Sequence, residues 1–188
     1  MRHGIATKEQ IERAALRLFL RDGIDGASMR EVTREAGISL GAVYNHYESK
    51  EELAWQLFLS GWSEFAFEMR RAAREKRGIR AQLQAMIGYV FNAFDEDPDR
   101  VGYVFFSRHQ HMHRVNPKLP NPVLVFRVFI TNAMTEKVFR KMDAEVATTI
   151  VLGACIQMID SKMLKRIKGP LGARAEEVAD ACYRMLKA

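Results

Sequence analysis

The chain has 188 residues and a formal net charge of +6; 48% of its residues are apolar and 28% charged. That length and apolar content exclude a disordered chain and suffice for a full-sized core in one or two domains. No uninterrupted apolar run of membrane-spanning length is seen, and the start MRHGIATKEQ lacks the apolar centre of a signal peptide, so a cytoplasmic protein with no membrane partner is expected.

The first predicted helix covers residues 8–22. Thr7 is its cap, and Ile11, Ala14, Ala15, Leu18 and Phe19 form one apolar stripe. Gly23 ends it, and Gly26 relieves the turn that follows. Ser28 is the next N-cap, with Met29, Val32 and Ala36 at helical spacing behind it. Gly37 falls just past the last periodic residue, where a left-handed C-cap is needed. Ser39 is a further N-cap candidate, and residues 40–47 make a short helix with Val43 facing inward. Ser49-Lys50-Glu51-Glu52 reads as a capping box opening a long fourth helix over 50–74. That helix carries Leu53, Leu57, Phe58, Trp62, Phe65 and Met69.

Beyond Gly78 the pattern stays helical. Residues 79–95 place Leu83, Met86, Ile87, Val90, Phe91 and Phe94 on one stripe. The turn DEDPD follows, with Pro98 suited to a first helical position. Residues 101–113 form an aromatic-rich helix. Three prolines within 116–122 exclude a helix there. Residues 123–142 are next, with Phe126, Phe129, Ile130, Met134 and Val138 inward. Asp143 caps a long helix to about residue 167, Gly169-Pro170 stops it, and a last helix runs from 172 or 173 to 186. Strand-like alternation is sustained nowhere. The expected fold is all-α with about nine helices: an N-terminal three-helix unit over 1–49 and a C-terminal bundle over 50–188.

Two short helices joined by a tight glycine turn form the helix-turn-helix, which sets its second helix in a DNA major groove. The residues Ser28, Arg30, Ala36-Gly37-Ile38-Ser39, Gly41, Val43-Tyr44, His46-Tyr47, Lys50-Glu51 and Leu53 follow the pattern of one family in spacing, turn chemistry and caps. On these residues the chain resembles the tetracycline-repressor (TetR) family of bacterial transcriptional regulators. Two positions depart from it. Leu40 stands where the family usually carries a polar or basic residue, and Ala42 where it usually carries Thr. Leu40 is able to meet a thymine methyl but makes no hydrogen bond to a base edge. Ala42 lacks a hydroxyl for a phosphate.

The resemblance implies a regulator, in the family's commoner mode a repressor, that binds a palindromic double-stranded DNA operator as a homodimer. The expected DNA-binding residues are Ser28, Arg30, Ser39, Leu40, Gly41, Ala42, Tyr44, His46 and Lys50. Tyr44, His46, Lys50 and Ser28 would clamp phosphates; Arg30, Leu40 and Gly41 would approach base edges. Tyr47 packs in the small core rather than touching DNA. Residues 1–50 carry eight Lys/Arg and seven Asp/Glu, so bulk charge adds little to this reading. The basic excess lies in 70–80 and 162–168, read as solvated faces and helix ends.

The resemblance further implies a pocket in the C-terminal bundle for a small apolar or aromatic effector. Its expected lining is Trp62, Phe65, Phe91, Asn92, Phe94, Tyr103, Phe106, His109, Phe126 and Phe129, with Thr131 as another polar anchor; ordinary core packing is the competing reading of the aromatics. A two-fold four-helix interface formed by the last two helices would use Thr149, Gly153, Ile156, Gln157, Val178 and Cys182. Cys155 and Cys182, with no C-x-x-C pattern, read as buried thiols. His109 and His113 share a spacing that suits a metal, but no carboxylate or Cys lies near in sequence to complete a site, so no metal or other cofactor is expected. No nucleophile–base arrangement, carboxylate pair or phosphate-binding glycine loop argues for an enzyme. The alternative to a regulator is a helical small-molecule-binding module that has lost DNA binding.

Overall fold

The computed structural model describes residues 2–116 and 118–188, with side chains from Thr7 onward. Among these residues there are ten α-helices and no strand: α1 (Arg2–Gly26), α2 (Met29–Ala36), α3 (Leu40–Tyr44), α4 (Lys50–Arg74), α5 (Ile79–Glu96), α6 (Pro98–Phe106), α7 (Arg108–His111), α8 (Pro122–Thr135), α9 (Ala144–Met163) and α10 (Ala175–Leu186). Short 3-10 turns cover Met112–Arg114 and Gly172–Arg174. Two compact units are present, one of residues 2–61 and 99–115, the other of 62–98 and 116–188. The division therefore falls inside α4, and α6 and α7 join the N-terminal helices.

In the first unit, α1 packs on α2 and α3. The stripe Ile11, Ala14, Ala15, Leu18 and Phe19 is buried with Met29, Val32 and Val43. Helix α1 is longer than its periodicity suggested: Thr7 lies within it rather than at its cap, and the helical turns continue past a break at Gly23 (φ 73°, ψ 165°). In the second unit, α10 packs on α5 and α9, and α8 on α9. Leu83, Met86, Ile87, Phe91, Phe126, Ile130, Val151, Ile159 and Leu186 form its core.

Helix α3 ends at Tyr44 rather than at 47, and three helices later in the chain also end earlier than periodicity implies. The stretch 101–113 is not one helix. Ser107 N–H still reaches the Tyr103 carbonyl at 2.9 Å, with Ser107 Oγ bonding the same oxygen, and Arg108 Nη1 donates to the Phe105 carbonyl at 2.6 Å, an acceptor that the next helical turn would use. Helix α8 stops at Thr135 rather than 142. Lys137 turns left-handed (φ 59°), and the buried Phe139 ring packs edge-on to Phe129 and Tyr183. Beside it the chain bridges α10, Arg140 N–H donating to the Leu186 carbonyl at 2.8 Å. Helix α9 stops at Met163, where Lys165 is left-handed (φ 58°). Pro117, one of the three prolines read as breakers, lies outside the described residues.

Side chains cap the starts of α8 and α9 in the second unit. Asn121 Oδ1 accepts from Val123 and Leu124 N–H, and Asp143 Oδ1 from Glu145 and Val146 N–H. The Asp95 carboxylate accepts from Leu171 N–H at 2.9 Å and Gly172 N–H at 2.8 Å, tying the approach to α10 back onto α5. One described helix, α9, has the length and hydropathy of a membrane-crossing segment, but Glu145, Asp160 and Lys162 interrupt its apolar run. Ala147, Thr148, Val151, Cys155 and Ile159 of that helix are buried within the unit.

Asp95→Ala leaves two amides of the α10 approach without their charged acceptor. The expected loss is about 1–3 kcal/mol of unfolding free energy, read as a lower urea midpoint; an unchanged midpoint would show that the carboxylate does not hold this turn.

Candidate nucleic-acid interface

Helices α2 and α3 are held by their ends. Ser28 Oγ accepts from Glu31 N–H, and Glu31 Oε2 accepts from Ser28 N–H at 2.9 Å, a reciprocal capping box. Gly37 then adopts φ 69°, ψ 31°, and its N–H and that of Ile38 reach back to the Arg34 and Thr33 carbonyls. No atom lies within 4 Å of where a Gly37 Cβ would stand, so the glycine is required by backbone conformation alone. Ser39 Oγ accepts from Ala42 N–H at 3.2 Å and starts α3. Val43 and Tyr47 fasten α3 to the core: Val43 is fully buried, and the Tyr47 hydroxyl donates to Glu12 Oε1 at 2.7 Å. Burial pushes the Tyr47 phenol well above its ordinary range, so it stays a neutral donor.

The outer surface this leaves carries Arg30, Ser39, Leu40, Gly41, Tyr44, Asn45 and His46, all exposed. Tyr44 is 50% exposed and Leu40 37%. Ala42 is half-buried. Two expected phosphate contacts have internal work instead. The Ser28 hydroxyl is engaged by Glu31 in both directions. The Lys50 ammonium donates to the Asp25 carbonyl at 3.3 Å and the Ala27 carbonyl at 3.0 Å, tying the start of α4 to the turn before α2. Sequence pattern placed Lys50 near the motif; only the fold reveals that its charge points at backbone carbonyls.

Residues expected to share one effector pocket are not gathered into one cavity. Trp62, Phe65, Phe91, Phe94 and Phe126 are buried in the core of the second unit. Tyr103, Phe106 and His109 belong to the first unit, where Phe106 and His109 are exposed. Asn92 is exposed, and the Thr131 hydroxyl bonds the Arg127 carbonyl within α8. Phe129 alone of the ten lines a cavity of about 490 Å³ in the second unit, formed by residues of α4, α5, the 118–121 turn and α8. Sequence reading missed the other walls because Ala66 and Val125 are small, Arg70, Arg74 and Lys118 are charged, and Met86 counts as core.

The His-rich run contains a different site from the one its spacing suggested. Helix α7 ends before His113, His109 and His113 are both exposed, and no group of three or more His, Cys, Asp or Glu is arranged for a metal among the described residues. The buried member is His111. Its ring stacks on Phe58 at 4.7 Å between centroids. The Tyr103 hydroxyl donates to the Ala54 carbonyl at 2.8 Å, so the His111 Nε2–H donates to the Tyr103 oxygen at 3.1 Å. Burial, reinforced by Arg114 and His113, lowers the His111 imidazolium to about 4. Close by, the Arg114 guanidinium lies over the Trp55 ring at 4.4 Å.

On the last two helices, Thr149, Gly153 and Gln157 are exposed, Ile156 and Val178 half-buried, and Cys182 buried. No atom lies within 4 Å of a Cβ built on Gly153. A groove of about 760 Å³ runs between the two helices past Gln157, Val178, Ala181 and Met185. Both thiols are buried, which raises them above the usual range.

Residues 11–57 match the family model described as bacterial regulatory proteins, tetR family. The HTH-type transcriptional regulator AcrR of Shigella flexneri is 35% identical over 65 residues, 33% of this chain and 30% of that protein. The HTH-type transcriptional activator FasR of Mycolicibacterium smegmatis is 25% identical over 150 residues, 79% of this chain and 67% of that one. The chain spans less than half the length of several other curated relatives it matches. A TetR family transcription regulator of Marinobacter aquaeolei VT8 shares the fold, with TM-score 0.82 at 14% identity over 100% of this chain and 99% of that one.

Two substitutions probe this geometry. Gly37→Ala puts a Cβ in the left-handed region and is expected to lower stability by about 1–2 kcal/mol with no steric clash; chemical denaturation that finds no loss would contradict the turn. His111 titrates near 6.5 when unfolded. The folded chain binds fewer protons between that value and about 4, so the contribution is whole above about pH 6.5 and is lost as pH falls. The expected slope is roughly 1 kcal/mol per pH unit after solvent screening. Denaturation midpoints at pH 7.5 and 5.0 should diverge more in the parent chain than in His111→Gln; equal divergence would assign the slope elsewhere.

Proposed function

We propose that this chain, whose residues 11–57 match the model of the tetR family of bacterial regulatory proteins, is a ligand-responsive transcriptional regulator of that family, a repressor that binds a palindromic operator as a homodimer. The observation that carries this is the exposed face of α3. A five-residue helix is capped at one end, bolted to the core at Val43 and Tyr47, and left with Leu40, Gly41, Tyr44 and His46 uncovered beside Arg30. In this reading Arg30 reads a base edge and Leu40 meets a thymine methyl. Tyr44 and His46 take phosphates, aided by the N–H groups at the start of α2. Lys50 acts from inside, positioning the motif.

Residues 1–49 form the reading part and 50–188 the effector-binding and dimerising part. The uncovered stripe Val146, Thr149, Gly153 and Gln157 of α9, with Val178 and Met185 of α10, supports a helix-on-helix interface with a second copy. Gly153 allows a partner helix close approach. One short helix reads few base pairs, and a two-fold pair reads a palindrome with half-sites about 34–36 Å apart. An effector bound in the second unit releases the operator only through its differential affinity for the two states of the dimer. Helix α4 contributes residues to both compact units and offers a continuous backbone for that coupling.

The test is fluorescence anisotropy on a duplex recovered by selection from a random pool. Arg30→Ala and Tyr44→Ala should each weaken binding by about 10- to 100-fold, the equivalent of about 1–3 kcal/mol, with thermal midpoints unchanged. Wild-type affinity in both variants would remove α2 and α3 from the interface.

A further inference from the structure

The cavity at α8 has walls of two kinds, and their arrangement bears on what enters it. Its floor is apolar: Ala66 of α4 and Met86 of α5 are buried, with Leu119, Val125 and Phe129 beside them. The wall continues outward through Leu124 and Val128, which are 38% and 50% exposed and so leave large apolar side chains uncovered at the mouth. Every charged residue that lines it is a cation. Arg70 and Arg74 stand one turn apart on α4, and Lys118 comes from the turn before α8. Their neighbours Arg71 and Arg80 are paired with Glu68 and Asp180, but neither Arg70, Arg74 nor Lys118 is paired with an acid among the described residues. The first turn of α8 also borders the cavity, with its positive helix end there. Asn132 adds an amide. At about 490 Å³ the space suits one drug-sized molecule.

An apolar floor under a rim of unpaired cations fits one kind of guest. We propose that this cavity is the effector site, and that its ligand is an anionic amphiphile: an apolar chain laid on Met86, Val125 and Phe129, ended by a carboxylate or phosphate held by Arg70, Arg74 and Lys118. The inference rests on the effector-responsive reading given above and replaces the small apolar or aromatic effector expected from sequence. Guanidinium groups match both head groups through paired N–H donors. A neutral guest would leave these exposed cations to water and counterions, and a cationic guest would add a fourth charge of the same sign. Exposure of the three cations makes the head-group contact dependent on salt.

The experiment measures ligand affinity on the full chain by intrinsic tryptophan fluorescence, with palmitate, palmitoyl-CoA, hexadecanol and hexadecyltrimethylammonium below their aggregation limits. Palmitate or palmitoyl-CoA should bind at least ten-fold more tightly than hexadecanol, with the advantage shrinking as salt is raised. Whichever anion binds tighter names the head group, carboxylate or phosphorylated thioester carrier. Arg70→Gln combined with Arg74→Gln and Lys118→Gln should erase the advantage while hexadecanol affinity is kept, which also shows the variant is folded. Equal affinity for palmitate, palmitoyl-CoA and hexadecanol, tighter binding of the ammonium, or an advantage untouched by the substitutions would overturn the inference. Its failure is separable from that of the regulator reading. A chain that selects a DNA palindrome but shows no anion preference defeats the ligand class alone. A chain that prefers the anion yet selects no DNA supports the ligand class and defeats the regulator.

Discussion

A five-residue helix has no stability of its own in water, and α3 is that short. Everything proposed for DNA recognition depends on how the fold compensates. It does so with one backbone conformation and a set of local polar contacts. Gly37 turns the chain at positive φ, Ser39 satisfies an amide at the start of α3, and the Ser28–Glu31 box fixes the helix before it. Val43 and Tyr47 then bury the inner face against α1. Because the inner face is so fully used, the outer face is free to be chosen for a partner rather than for packing. The Lys50 contacts belong to the same device, since they secure the junction between the motif and the long α4.

The second unit solves the same problem at its helix ends. Asn121, Asp143 and Asp95 each turn a short polar side chain or carboxylate onto free amides. Helix starts fixed in this way leave side chains on the flanks of α4, α5 and α8 free to line a cavity, and leave the outer stripe of α9 uncovered. Two vacant surfaces of different chemistry result. One is small-residue and apolar, suited to a second copy. The other is apolar within and cationic at its rim, suited to a ligand with a charged end. Both assignments are proposals that follow from what each surface leaves unsatisfied.

The all-α fold and the helix-turn-helix were legible in the sequence because their signals are local. The capping residues, the glycine at the turn and the 3.6-residue period of α1, α4 and α5 need no knowledge of distant neighbours. Helix ends were legible only where a local breaker sets them, as at Gly78 and Pro98. The end of α8 was not, because it is set by Phe139 packing against Phe129 and Tyr183, the latter far along the chain. Site residues divided the same way. Tyr44 and His46 lie exposed on or just after α3, where the motif places them. The cavity residues did not follow from composition: aromatics drew attention, yet most of them are core. Two of the cations that define the rim sit on an ordinary-looking charged stretch of α4, and the third, Lys118, sits in the turn before α8. Likewise, His111 differs from His109 and His113 only through burial against Phe58 and Tyr103.

The central claim is that two copies of the α3 face read a two-fold site. Selection of bound duplexes from a random pool at near-physiological salt tests it most directly. The account predicts enrichment of a palindrome whose half-sites lie about 34–36 Å apart, one turn of DNA. Recovery of no motif by a folded, dimeric chain would contradict it and make the protein a helical ligand-binding module.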